Sequence, residues 1–88
     1  MRIQLKQYGE ILTSRPAGRE AALAMKAYLR PASEDAIELD FDGVVSVGPS
    51  WLDEVLSALR RDYGRERVVI LPTTNASVLE CLKVIDEG

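Results

Sequence analysis

The sequence predicts an α/β fold: a small sheet of 3-4 strands, largely parallel, with helices packed mainly on one face, in β-α-β-α-β-α order. Three observations carry this expectation. Two segments alternate apolar and polar side chains with the period of a half-buried strand, and a third is an uninterrupted apolar run of strand length. Stretches with a 3.6-residue apolar period lie between and after them. The roughly twenty-five residues separating the second and third strands suit a right-handed parallel crossover.

Taken in order, Ile3 and Leu5 alternate with Gln4 and Lys6 and mark a first strand ending near Gly9. From Pro16 the text becomes Ala-rich, with Ala21, Met25, Tyr28 and Leu29 on one helical stripe. Ser14 is placed to cap this helix and Pro31 to stop it. The stretch 30–35 that follows reads as a mobile loop. Residues 36–41 form the second strand, with Ile37, Leu39 and Phe41 on one face and Glu38 and Asp40 on the other. A short connection carries Gly43 and Gly48, and its Val44, Val45 and Val47 are apolar enough to tuck under the fold.

The strongest helix begins at Ser50. Leu52, Val55, Leu56, Leu59 and Tyr63 keep the 3.6 period, Gly64 sits where a positive φ is wanted, and Asp53 and Glu54 fall in the expected first turn. The run 67–71, ended by Pro72, is expected in the middle of the sheet, since such strands are buried on both faces. A last helix from about Asn75 presents Val78, Leu79, Leu82 and Ile85 inward.

Composition narrows the function. Eighty-eight residues make one small domain, residues 1-88, burying roughly 60–70% of its unfolded surface, and 47% apolar content is enough for a core. The net charge of −3 gives no electrostatic footprint for nucleic acid. No histidine means no Ser–His or Cys–His pair and no imidazole base or metal ligand. No apolar run approaches a membrane span or signal-peptide core, and the lone Cys81 cannot form an internal disulfide. A cytoplasmic, non-enzymatic protein without cofactor or metal is the expectation.

In a parallel sheet, ligands and functional loops gather beyond the carboxyl ends of the strands. Those ends deliver Asp40 and Asp42, then Ser46 and Ser50, then Thr73, Thr74 and Asn75. Asp40 and Asp42 read as turn formers more readily than as metal ligands. Ser50 with Asp53 reads as a capping-box-like helix start, and also as a phosphoacceptor at a helix N-terminus, where added charge meets the dipole. Trp51 is either core or a partner anchor. Arg15 is a solvated surface arginine or a clamp for phosphate or carboxylate. Cys81 reads as an inert, semi-buried thiol.

The segment 37–55, Ile-Glu-Leu-Asp-Phe-Asp-Gly-Val-Val-Ser-Val-Gly-Pro-Ser-Trp-Leu-Asp-Glu-Val, resembles the central part of the STAS-like domain, a bacterial family without an assigned biochemical activity. The blocks 9–15 and 67–75 resemble its flanks, so the likeness covers nearly the whole chain. It implies a mixed sheet with helices mainly on one side, and a relation to STAS domains of anti-sigma-factor antagonists. In those antagonists a histidine-kinase-type ATPase that is also the anti-sigma factor phosphorylates a serine at the start of the helix after the central strand, which abolishes binding. Laying their Asp-Ser-Ser-Gly-Leu on residues 48–52 puts the phosphoacceptor on Ser50, with Gly48, Pro49 and Trp51 departing from the pattern.

The resulting expectation is a regulatory protein–protein interaction module, switched at Ser50, whose partner surface comprises Asp40, Asp42, Trp51, Asp53 and Glu54. The partner would be a histidine-kinase-type ATPase. The rivals are a small-ligand or nucleotide-binding domain using Thr73, Thr74 and Asn75, and a constitutive accessory subunit without a switch.

Overall fold

Two small parallel sheets share one core. The structure, a computed structural model, describes residues 1–29 and 35–87, so the expected stop at Pro31 and most of the expected 30–35 loop lie outside the described residues. The strands are β1 (Arg2–Gln4), β2 (Ile11–Leu12), β3 (Ile37–Asp40), β4 (Ser46–Val47) and β5 (Val68–Ile70). The helices are α1 (Arg15–Tyr28), α2 (Pro49–Tyr63) and α3 (Ala76–Glu87). One sheet has the order β1-β3-β5 and the other pairs β2 with β4. Every pairing among the described residues is parallel, where the family likeness implied a mixed sheet.

The alternation in β3 fixes how the larger sheet lies. Ile37, Leu39 and the following Phe41 are buried, at 0%, 0% and 3% exposure. Register places Arg2 beside Glu38 and Glu38 beside Val69, and this row points to the other side of the sheet. Arg2, Gln4 and Val69 are exposed and Glu38 and Asp40 half-buried, so no layer covers that face among the described residues. The helices gather on the opposite side, as the sequence predicts.

Four expectations about the strands need correction. The first strand ends at Gln4, because Leu5–Tyr8 form a 3-10 turn closed by the Gly9 N–H donating to the Lys6 carbonyl at 2.9 Å. Gly9 turns the chain at φ +132°, a region that favours glycine. The next residues then form β2, which the pattern did not show. The connection expected at 43–49 contains β4: Val45 and Ser46 N–H donate to the Glu10 carbonyl at 2.8 and 3.1 Å, and Gly48 N–H to Leu12 at 2.7 Å. Finally, β5 is an edge strand among the described residues and β3 the centre; the apolar run at 68–71 puts Val69 on the open face, 41% exposed.

Each helix shows why it starts where it does. Ser14 caps α1, its Oγ accepting from the Ala17 N–H at 3.3 Å, and Pro16 follows in the first turn. Ser14 has φ +74°, a conformation that costs a non-glycine residue about 1–3 kcal/mol. The cap of α2 lies two residues earlier than expected, at Gly48 instead of Ser50, and the helix runs from Pro49. Pro49 stands at its first position, Gly48 is the cap residue, and no side chain caps the end. The capping box of Ser50 and Asp53 is therefore not formed, and Asp53 and Glu54 lie beyond the first turn. Gly64 ends α2 at φ +96°, as expected of its position.

The inner faces are close to expectation with two exchanges. Leu52, Val55, Leu56 and Leu59 are buried on α2, and Ala21 and Met25 on α1. Tyr28 is 82% exposed and leaves the α1 stripe, while Leu29 packs partly against the core. On α3 the inward residues are Val78 and Cys81, with Leu82 and Ile85 packed beside them, and Leu79 faces solvent.

The tightest approach between helices is at Gly18. A methyl group there would stand 2.6 Å from the Trp51 carbonyl oxygen and 2.8 Å from the Trp51 Cα, backbone atoms that move only if the helices separate. Gly18→Ala is expected to lower stability by about 1–3 kcal/mol in urea unfolding, the range for overpacking, despite the better helix propensity of alanine. Gly48→Ala is the control: its added methyl meets nothing nearer than 3.6 Å, and its loss is expected to be smaller.

Candidate functional site

Beyond the carboxyl ends of the strands the expected single edge divides into two clusters. The first is a depression of about 330 Å³ lined by Asp40, Asp42, Pro72, Thr73 and Thr74. Here Asp40 turns its Oδ1 back to accept from the Asp42 N–H at 2.9 Å, the Asx turn expected of such a pair. Thr73 accepts from the Asn75 N–H through Oγ1 at 3.1 Å. No group of three or more His, Cys, Asp or Glu side chains comes together among the described residues.

Asn75 serves the fold instead of presenting ligand donors. Its Nδ2 donates to the carbonyls of Val44 and Val45 at 2.9 and 3.2 Å. Its Oδ1 accepts from the N–H of Ser77 and Val78 at 2.9 and 3.4 Å and from the Ser77 hydroxyl at 2.7 Å. One side chain thus caps α3 and ties it to the segment entering β4. Ser77 extends the tie, since its Oγ accepts from the Val47 N–H at 3.1 Å. The Cys81 thiol completes it by donating to the Val47 carbonyl at 3.1 Å. Ser77 was not singled out from sequence, although Asn75 just before an apolar-periodic run is the residue type that starts helices.

The second cluster surrounds Ser50. A depression of about 330 Å³ is lined by Arg15, Pro49, Ser50, Asp53, Val84 and Ile85. Arg15 Nη1 donates to Asp53 Oδ2 and to Glu54 Oε1, both at 3.1 Å, and Arg19 Nη2 approaches Glu54 Oε1 at 3.6 Å. Of the two readings of Arg15, the carboxylate clamp is the one realised, within the chain and between α1 and α2. Hydrogen bonds to Glu54 first and Asp53 second raise the Arg15 pKa above its ordinary value. Arg19, Val84 and Ile85 had no functional expectation attached, and these long-range neighbours leave no local pattern.

Trp51 does not join this surface. It is 2% exposed and packs in the core, so the indole is no accessible partner anchor, and the expected partner-binding role is corrected to packing. Asp53 and Glu54 share the clamp near Ser50, while Asp40 and Asp42 belong to the other depression. The expected surface is therefore not contiguous through Trp51. Ser50 itself is half-buried at the second position of α2, and its hydroxyl makes no hydrogen bond among the described residues.

Cys81 is buried at 4% exposure, deeper than the semi-buried position expected, and burial pushes its thiol pKa up, with Glu80 adding to the effect. Because the folded value is the raised one, the folded chain holds the proton more tightly than the unfolded chain. That contribution to stability is complete below the ordinary value of 9.0 and is lost as pH rises through the folded value. From 9.0 up to the folded value the unfolding midpoint is expected to decline more steeply in the wild type than in Cys81→Ala, as read by thermal melts across the alkaline range. Asn75→Ala is expected to lose about 2–3 kcal/mol in urea unfolding, from the cap and the orphaned carbonyls together. Asn75→Asp keeps the Oδ1 acceptor but sets a carboxylate oxygen against the Val44 and Val45 carbonyls, so it should not recover the loss.

No helix among the described residues is long and apolar enough to cross a membrane. Neither a curated protein nor a solved structure matches the chain. A family model does match, over residues 24–78, from the middle of α1 through β3, β4, α2 and β5 to the start of α3. The match covers more than half of the chain, and the chain belongs to the family described as STAS-like domain of unknown function (DUF4325).

Proposed function

We propose that this chain is a non-catalytic regulatory module that binds a partner protein through the surface around the start of α2 and is switched by phosphorylation of Ser50. One observation supports the switch above the others. The structural explanation of Ser50 as a helix cap is removed, because Gly48 and Pro49 begin α2 and the Ser50 hydroxyl is not engaged within the described chain. Since Pro49 has no N–H and Leu52 N–H already bonds the Gly48 carbonyl, the helix start leaves the N–H groups of Ser50 and Trp51 without intrahelical partners.

The partner kinase is proposed to be a histidine-kinase-type ATPase. Its reaction transfers the γ-phosphoryl group of ATP to Ser50 Oγ: the Oγ–P bond forms, the bond to the β-phosphate oxygen breaks, and the hydroxyl proton passes to a base of the kinase. The product carries about −1.5 to −2 added charge at a surface that also presents Val84 and Ile85, which expels an acidic or apolar partner face. The rival ligand-binding reading gains little, because Asn75 and Thr73 are hydrogen-bonded within the fold and two carboxylates face the remaining depression.

Ser50→Asp is expected to lose the partner that the wild type and Ser50→Ala retain, as measured by affinity capture from host lysate followed by mass spectrometry. Circular dichroism melts of all three should nearly coincide, since the hydroxyl supports no bond among the described residues. Equal partner binding by the two folded variants would remove the switch and leave a constitutive interaction module.

A further inference from the structure

We propose that Arg15 is the receptor for a phosphoryl group carried on Ser50, so that the modified start of α2 is held by a guanidinium supplied from α1. This deepens the switch proposed above and rests on it. Arg15 and Ser50 line the same depression, though thirty-five positions separate them in the chain. The guanidinium spends a single nitrogen, Nη1, on both Asp53 and Glu54. Its Nη2 and Nε make no hydrogen bond among the described residues, and the side chain is 47% exposed. Part of a five-donor fork is thus unspent beside an unspent hydroxyl.

The direction of the fork follows from the helix. Asp53 is three residues after Ser50 and so shares its side of α2. By bonding Asp53, Arg15 is drawn to that side. The planar fork suits two phosphate oxygens at once, and the carboxylates that would repel a bare phosphate here serve to orient its counter-charge. Arg19 is the natural comparison: it pairs with Glu54 at 3.6 Å, is 66% exposed, and does not line the depression.

The test uses the full chain with phosphoserine incorporated at position 50 during translation, so that no kinase is needed, and follows its titration by phosphorus NMR. The second ionisation of phosphoserine ordinarily falls near about 6. In the wild-type background it is expected about one unit lower, as an opposite charge at close range dictates. Arg15→Gln should return it to the ordinary value or above, Arg15→Lys should restore part of the shift, and Arg19→Gln should leave it nearly unmoved. A titration indifferent to Arg15→Gln overturns the assignment, as does a phosphorylated chain that loses its circular dichroism signal. Absence of phosphate on Ser50 in protein isolated from the host would count against the switch itself, and the titration would still report on Arg15.

Discussion

The contact between Gly18 and the backbone of Trp51 sets the position of everything that could act at the start of α2. Because no Cβ intervenes, α1 rests directly on the first turn of α2, and the side chains one turn back on α1 fall over those of α2. Arg15 is one such residue, and its reach to Asp53 and Glu54 follows from this approach. The same packing seals Trp51 inside. An added methyl at Gly18 would therefore disturb the ion pairs above it as well as the core below.

A second constraint works from the other side of the sheet edge. Two-residue strands such as β2 and β4 supply little pairing energy of their own, and a two-stranded sheet is marginal in isolation. Here α3 supports β4 through Asn75, Ser77 and Cys81, each bonding the backbone of residues 44–47. The tie fixes the path of the chain into Gly48 and Pro49, and hence where α2 begins. It also occupies the polar groups that would otherwise face a ligand, so Asn75 leaves the first depression with the two threonines and the two aspartates.

How much of this was legible follows from the range of each interaction. The faces of β3 and α2 were readable because burial of Ile37, Leu39, Leu52, Val55 and Leu56 repeats with the period of the element. The strands β2 and β4 are too short to show a period. The run at 67–71 misled because apolar residues also occupy an edge strand when one face is only partly wetted, as Val69 shows. For Ser50 the Ser-x-x-Asp spacing competed with a Gly-Pro step two residues earlier, and proline at the first helical position determined the start. The partners of Arg15 lie 38 and 39 residues away, a distance at which no spacing rule operates.

The charges around Ser50 acquire a different meaning once these distances are known. Taken on α2 alone, Asp53 and Glu54 oppose a phosphate one turn away. Across the helix contact, Arg15 and Arg19 stand against them, so the four charges balance and the resting surface presents ion pairs with little net field. Exposed pairs of this kind add little to stability. On the proposed reading they keep the Arg15 guanidinium at hand without leaving an uncompensated positive patch for other anions. A modification that adds nearly two negative charges to a locally neutral cluster changes the field seen by a docking partner more sharply than it would on an already acidic face.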